Sequence, residues 1–127
     1  MVGTKRFKEF KGILEEAVKN KDKFVRYSKK VLILGYGSVG QCMVPLLIKH
    51  IVEHPSQITV LEMGNQNKKT FDKRNSGNGV KYVSKQVLPD NLHSVLEKHT
   101  EPGGFVIDVS LNIDGESIIK WLSLIHI

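Results

Sequence analysis

Four consecutive apolar residues, Val31-Leu32-Ile33-Leu34, run straight into Gly35-Tyr36-Gly37-Ser38-Val39-Gly40. The run is too short for a buried helix and suits a parallel strand covered on both faces. Parallel strands need crossover connections, so this one segment commits the chain to alternating strands and helices. The spacing G-x-G-x-x-G gives each glycine a separate task. Gly35 allows a tight turn, Gly37 lets a pyrophosphate approach bare backbone, and Gly40 lets helix and strand pack closely. The amides of Gly37, Ser38 and Val39 are expected to face phosphates at the positive end of the following helix.

The rest of the sequence repeats the alternation. After a strand at 31–35 come a helical stretch over 38–53, a strand at Ile58–Glu62 and a polar stretch over 64–79. A short strand at Val80–Val83 follows, then a helix over 90–99 opened by Pro89-Asp90, a strand at Phe105–Val109 and a helix starting near Asp114. The expected fold is α/β, a Rossmann-like, doubly wound and mainly parallel sheet. Four strands are visible where a complete dinucleotide fold has about six, so the sheet is expected to be incomplete. Pro45 removes the amide that would bond to Gln41, while Val44, Leu46, Leu47 and Ile51 keep the helical period around it. Cys42, on the same helix, is read as a packing residue, since no charged or histidine neighbour activates it.

Charge divides the chain. Residues 1–30 hold ten Lys/Arg against four Asp/Glu, and the remainder holds nine of each, so the net charge of +6 belongs entirely to the start. There Phe7, Phe10, Leu14, Ala17 and Val18 recur at helical spacing between lysines and glutamates, which predicts a basic amphipathic helix over 5–19. Its aromatics fall on the apolar stripe and no recognition module accompanies it, so a nucleic-acid partner is not expected. No apolar run approaches bilayer-spanning length and the first residues, MVGTKRFKEF, hold no apolar h-region, so neither membrane insertion nor secretion is expected. The single cysteine needs no oxidising compartment, which makes the cytoplasm the default location. The expected organisation is a basic arm over 1–29, a dinucleotide-binding domain over 30–121 and a foreign tail over 122–127. That tail, LSLIHI, stops inside a helical pattern and resembles the translated read-through of a sequencing-library transposon end.

A second test of the glycine loop is an acid at the end of the next strand, placed to accept hydrogen bonds from an adenosine ribose. Glu62 stands 22 residues after Gly40. A carboxylate there repels the 2′-phosphate of NADP and favours NAD, unless Lys68 or Lys69 folds back to neutralise it. Methyltransferases that bind S-adenosylmethionine use a related loop, but usually with an acid ahead of the first glycine, where this chain has Leu34. No metal site is expected. His50 and His54, and His93 and His99, pair at helix-like intervals without a third ligand. Ser110 lacks the strained elbow of a nucleophilic serine.

The stretches VLILGYGSVGQCMVPLLIKHI, PSQITVLE, GVKYVSKQVLPDNLHSVL and GGFVIDVSLNIDGESIIKWL together resemble the N-terminal part of bacterial-type homospermidine synthases, from Val31 to Trp121. Pro45-Leu46-Leu47 and Asp108-Val109-Ser110 are the more specific parts of the match. The resemblance implies a saccharopine-dehydrogenase-like Rossmann domain that uses NAD as a bound redox relay. Hydride leaves a carbon next to an amine of putrescine, ammonia is lost, a second putrescine forms an imine, and hydride returns to give homospermidine. It also implies cofactor contacts from Gly35, Gly37, Ser38, Val39, Gly40 and Glu62, and from Asp108, Val109 and Ser110 at the border of the crevice. The family's catalytic and diamine-binding groups are expected beyond the end of this chain. A related polyamine enzyme such as carboxynorspermidine dehydrogenase, and a non-catalytic dinucleotide-binding module, are the alternatives. The oligomeric state is open, a homo-oligomer included.

Overall fold

A computed structural model describes residues 2–19, 26–110 and 115–125. The strands are β1 (Val31–Leu34), β2 (Ile58–Glu62), β3 (Lys81–Ser84) and β4 (Phe105–Asp108). The helices are α1 (Val2–Lys19), α2 (Ser38–His50), α3 (Lys68–Arg74), α4 (Leu92–His99) and α5 (Gly115–Ile125). All strand pairs are parallel, in the order β3-β2-β1-β4, with Val31 opposite Ile58 on one side and opposite Phe105 on the other. This is the expected α/β Rossmann-like arrangement, with α1 ahead of it.

The strand period of two divides the core between the two faces of the sheet. Val31, Ile33, Ile58 and Val60 point to one face and are covered by Val44 and Leu47 of α2 and Phe71 of α3. Leu32, Leu34 and Leu61 point to the other and are covered by Leu92, Val95 and Leu96 of α4 and by Ile118 and Trp121 of α5. All four residues of β1 are buried, as a central strand covered on both faces requires. The first two crossovers therefore step outward from β1 on one face. The third returns past it on the opposite face to place β4 on β1's other side. That reversal opens a crevice at the carboxyl ends of β1 and β4.

Several boundaries differ from the sequence reading. The glycine-loop helix stops at His50 because the chain beyond it is used elsewhere. Tyr27 donates from its backbone to Ile51 O at 2.9 Å, and Glu53 N bonds back to Tyr27 O at 2.9 Å. The Arg26 guanidinium donates to Lys49 O at 3.0 Å and satisfies part of the helix's carbonyl end. The polar stretch 64–79 contains α3, a two-turn helix that buries only Phe71, too little to leave a periodic signature. Cys42 is exposed, which corrects its reading as a packing residue. In α1, Phe7, Phe10, Ile13 and Leu14 are all exposed. Leu122 is partly buried against the second core cluster, within a helix that runs on to Ile125. Among the described residues no helix is long and apolar enough to cross a membrane.

Candidate functional site

The crevice is a cleft of about 220 Å³ lined by the turn after β1, the end of β2 and the segment after β4. Gly35 leaves β1 at φ +101°, a conformation open to glycine. It is held by its N–H on Leu61 O at 2.8 Å and is pressed against the β4 end. A Cβ there would lie 3.0 Å from Val109 O and 3.2 Å from Ser110 Cα. Tyr36 then turns inward and is almost fully buried. Its hydroxyl accepts from Asn75 Nδ2 at 3.2 Å and its ring meets Phe71 edge-on at 5.4 Å. The turn is thus pinned to α3.

Gly37 caps α2 with no side-chain hydrogen bond, and no acidic residue sits in the first turn of that helix. A Cβ on Gly37 would meet nothing within 4 Å, whereas one on Gly40 would lie 2.5 Å from Gly35 O. The two glycines differ in kind: Gly40 is required by close packing of protein on protein, and Gly37 borders free space. Ser38 and Val39 are exposed at the same helix start. A helix N-terminus with no side-chain cap and no acid in its first turn, bordered by open space at Gly37, fits a pyrophosphate.

Glu62, half-buried at the end of β2, lies in the cleft lining with Gly35, Gly37, Val109 and Ser110. Both of its carboxylate oxygens are engaged. Asn67 Nδ2 donates to Oε1 at 2.7 Å and the Tyr82 hydroxyl donates to Oε2 at 2.7 Å. Burial first, then the hydrogen bond to Glu62 and the charges of Glu62 and Asp72, push the Tyr82 hydroxyl well above the usual phenol range, so it stays a donor. Lys68, which could have neutralised Glu62, instead pairs with Asp72 and lies over the rings of Phe71 and Tyr82 at 5.7 and 5.4 Å. Lys69 is exposed.

Asp108 does not line the cleft. Its Oδ1 accepts from Ser110 N at 3.0 Å and from Ser110 Oγ at 2.6 Å, closing a side-chain turn that shapes the segment bordering the cleft. Leu61, Met63, Gln66, Lys85 and Val87 also line it. Sequence reasoning missed them, together with Tyr36, Asn67 and Tyr82. Of these only Tyr36 carried a usable signal, as a large residue between the first two glycines.

A family model described as the saccharopine dehydrogenase NADP binding domain matches residues 31–122. The homospermidine synthase of Mesorhizobium japonicum is 30% identical over 89 residues, covering 69% of this chain and 18% of that protein. The homospermidine synthase of Blastochloris viridis is 24% identical over 98 residues, covering 75% of this chain and 20% of that protein. The crystal structure of the Legionella pneumophila homospermidine synthase in complex with NAD matches with a TM-score of 0.71 at 27% identity, over 82% of this chain and 22% of that one. The chain spans about a fifth of the length of these relatives. The resemblance read from the sequence is shown by these matches, and the chain belongs to the saccharopine dehydrogenase NADP-binding domain family, with the glycine loop opening its dinucleotide-binding fold.

Proposed function

We propose that the domain is the NAD-binding portion of a homospermidine synthase, in which Glu62 selects NAD over NADP. The observation that supports it best is the Glu62 carboxylate at the end of β2, in one cleft with Gly35 and Gly37, with Lys68 paired to Asp72 instead of to it. The helix-end amides from Gly37 to Val39 would hold the pyrophosphate, and Glu62 would accept from the ribose hydroxyls. Val109 and Ser110 would border the cofactor from the β4 side, with Asp108 fixing their turn. NAD, when bound, supplies a hydride acceptor and, once reduced, a hydride donor. The family model's description names NADP, but a carboxylate at this position stands where a 2′-phosphate would bring a second negative charge.

Replacing Glu62 with alanine removes charge-assisted hydrogen bonds worth about 1.5–3 kcal/mol, or roughly 10- to 150-fold in NAD affinity. The preference over NADP is expected to shrink with it. Calorimetric titration of both cofactors measures this, and unchanged NAD affinity in the variant would make Glu62 a surface residue with no part in binding.

On the same reading the groups that hold the diamine lie outside these residues. Hydride transfer needs the two carbons within about 3–3.5 Å in aligned geometry, which substrate-binding groups must enforce. The 127-residue chain incubated with NAD and putrescine is therefore expected to form no homospermidine detectable by mass spectrometry. Product above a Gly37→Val control would place the catalytic groups within it.

A further inference from the structure

We propose that Tyr82 and Asn67 are positioning residues that hold the Glu62 carboxylate in the orientation that accepts both hydroxyls of an adenosine ribose, and that they thereby set the strictness of the preference for NAD. The inference rests on the reading that Glu62 faces the ribose.

A glutamate at a strand end has three rotatable bonds and, left free, would sample many orientations. Glu62 does not have that freedom. Asn67, just ahead of α3, takes one lone pair of Oε1, and Tyr82, on the neighbouring strand, takes one lone pair of Oε2. Each carboxylate oxygen has two lone-pair sites, so one remains on each oxygen. One carboxylate held in a fixed orientation, with an acceptor site free on each oxygen, suits two vicinal hydroxyls.

The donors are themselves anchored. Asn67 O accepts from Phe71 N at 2.9 Å at the start of α3, and Ser84 Oγ donates to Gly64 O at 3.0 Å, tying the turn after β2 to β3. The Tyr82 ring packs on the buried Phe71 at 5.0 Å. Pinning has a second consequence. A mobile glutamate could swing outward and admit a 2′-phosphate at little cost, whereas a carboxylate held from two sides leaves like charges close together. Loss of either donor should therefore weaken NAD and, relative to it, favour NADP.

The test is a double-mutant cycle on the 127-residue chain, with NAD and NADP titrated against the wild type, Tyr82→Phe, Asn67→Ala, Glu62→Ala and the two pairings with Glu62→Ala. Circular dichroism checks the fold of each. Tyr82→Phe is expected to raise the NAD dissociation constant about fivefold, the scale of one hydrogen bond, and to narrow the NAD-to-NADP preference about tenfold. On the Glu62→Ala background it should change NAD affinity less than about twofold, because its only route to the cofactor has gone. Asn67→Ala should behave alike, and it carries the test if Tyr82→Phe fails to fold. Should Glu62→Ala itself leave NAD affinity unchanged, the reading of the site falls. If Glu62→Ala weakens NAD while the donor variants do nothing, or act in full on its background, the positioning role is overturned and the reading of Glu62 stands.

Discussion

Valine at Gly40 is expected to cost the chain about 3 kcal/mol or more of stability, while valine at Gly37 is expected to leave the fold in place and strongly weaken cofactor binding. The difference lies in what each glycine faces. A Cβ at Gly40 would sit 2.5 Å from Gly35 O, a backbone atom, and Gly35 has little room to retreat. Its own N–H is bonded to Leu61 O, its φ is +101°, and the Val109 carbonyl closes the other side. Helix α2 would have to lift off the sheet, exposing the core that Val44 and Leu47 build with β1. At Gly37 the backbone lies at φ −75°, which any residue adopts, and nothing lies within 4 Å of a Cβ. Valine there costs at most about 1 kcal/mol as a poorer helix cap, but on the proposed reading it fills the space of the pyrophosphate and should lower NAD affinity on the order of 100-fold. Thermal melting and NAD titration of the two variants separate the effects. A Gly40→Val chain that melts with the wild type, or a Gly37→Val chain that binds NAD normally, would refute this account of the loop.

Phe71→Ala is expected to destabilise the domain by about 3–5 kcal/mol, and to disturb both halves of the cleft at once. Phe71 is the one buried residue of α3. It stands between the Tyr36 ring at 5.4 Å and the Tyr82 ring at 5.0 Å. Tyr36 belongs to the glycine loop and Tyr82 holds Glu62, so the ring links the glycine-loop end of the cleft to the Glu62 end. Truncation removes the buried ring and leaves a cavity that two rings anchored on the sheet and the loop cannot fill. Phe71→Leu keeps most of the apolar volume and should cost about 1–1.5 kcal/mol. Urea denaturation of both variants, read by circular dichroism, gives the comparison. A loss below about 1 kcal/mol for Phe71→Ala would mean that the row of rings carries no structural weight.

The parts of the site that were legible beforehand are those written in neighbouring residues. The strand Val31–Leu34, the glycine spacing and the helix after it form one continuous segment, and Glu62 follows from strand length and position. The segment after β4 was placed at the crevice by the family resemblance, and Val109 and Ser110 lie in the cleft lining while Asp108 does not. What escaped was weak or long-range in sequence. Helix α3 buries a single side chain, and α2 stops early because Arg26 and Tyr27, more than twenty residues away, bond to its end.

By itself the sequence determined the alternation of strands and helices, the split of each strand's residues between two faces, and the glycine geometry of the first turn. Each of these follows from the backbone periods of 2 and 3.6 and from the allowed φ of single residues, which act over a few positions. Only the tertiary structure decided which side chains meet around that turn. Tyr36 finds Asn75 across 39 positions, and Glu62 finds Tyr82 across 20. Those partners are set by the order in which strands lie side by side and by the depth to which α3 packs. Nothing in the residues on either side of Tyr82 marks it as the donor to an acid on the neighbouring strand, because hydrogen-bonding distance is a property of the folded sheet and not of the sequence interval.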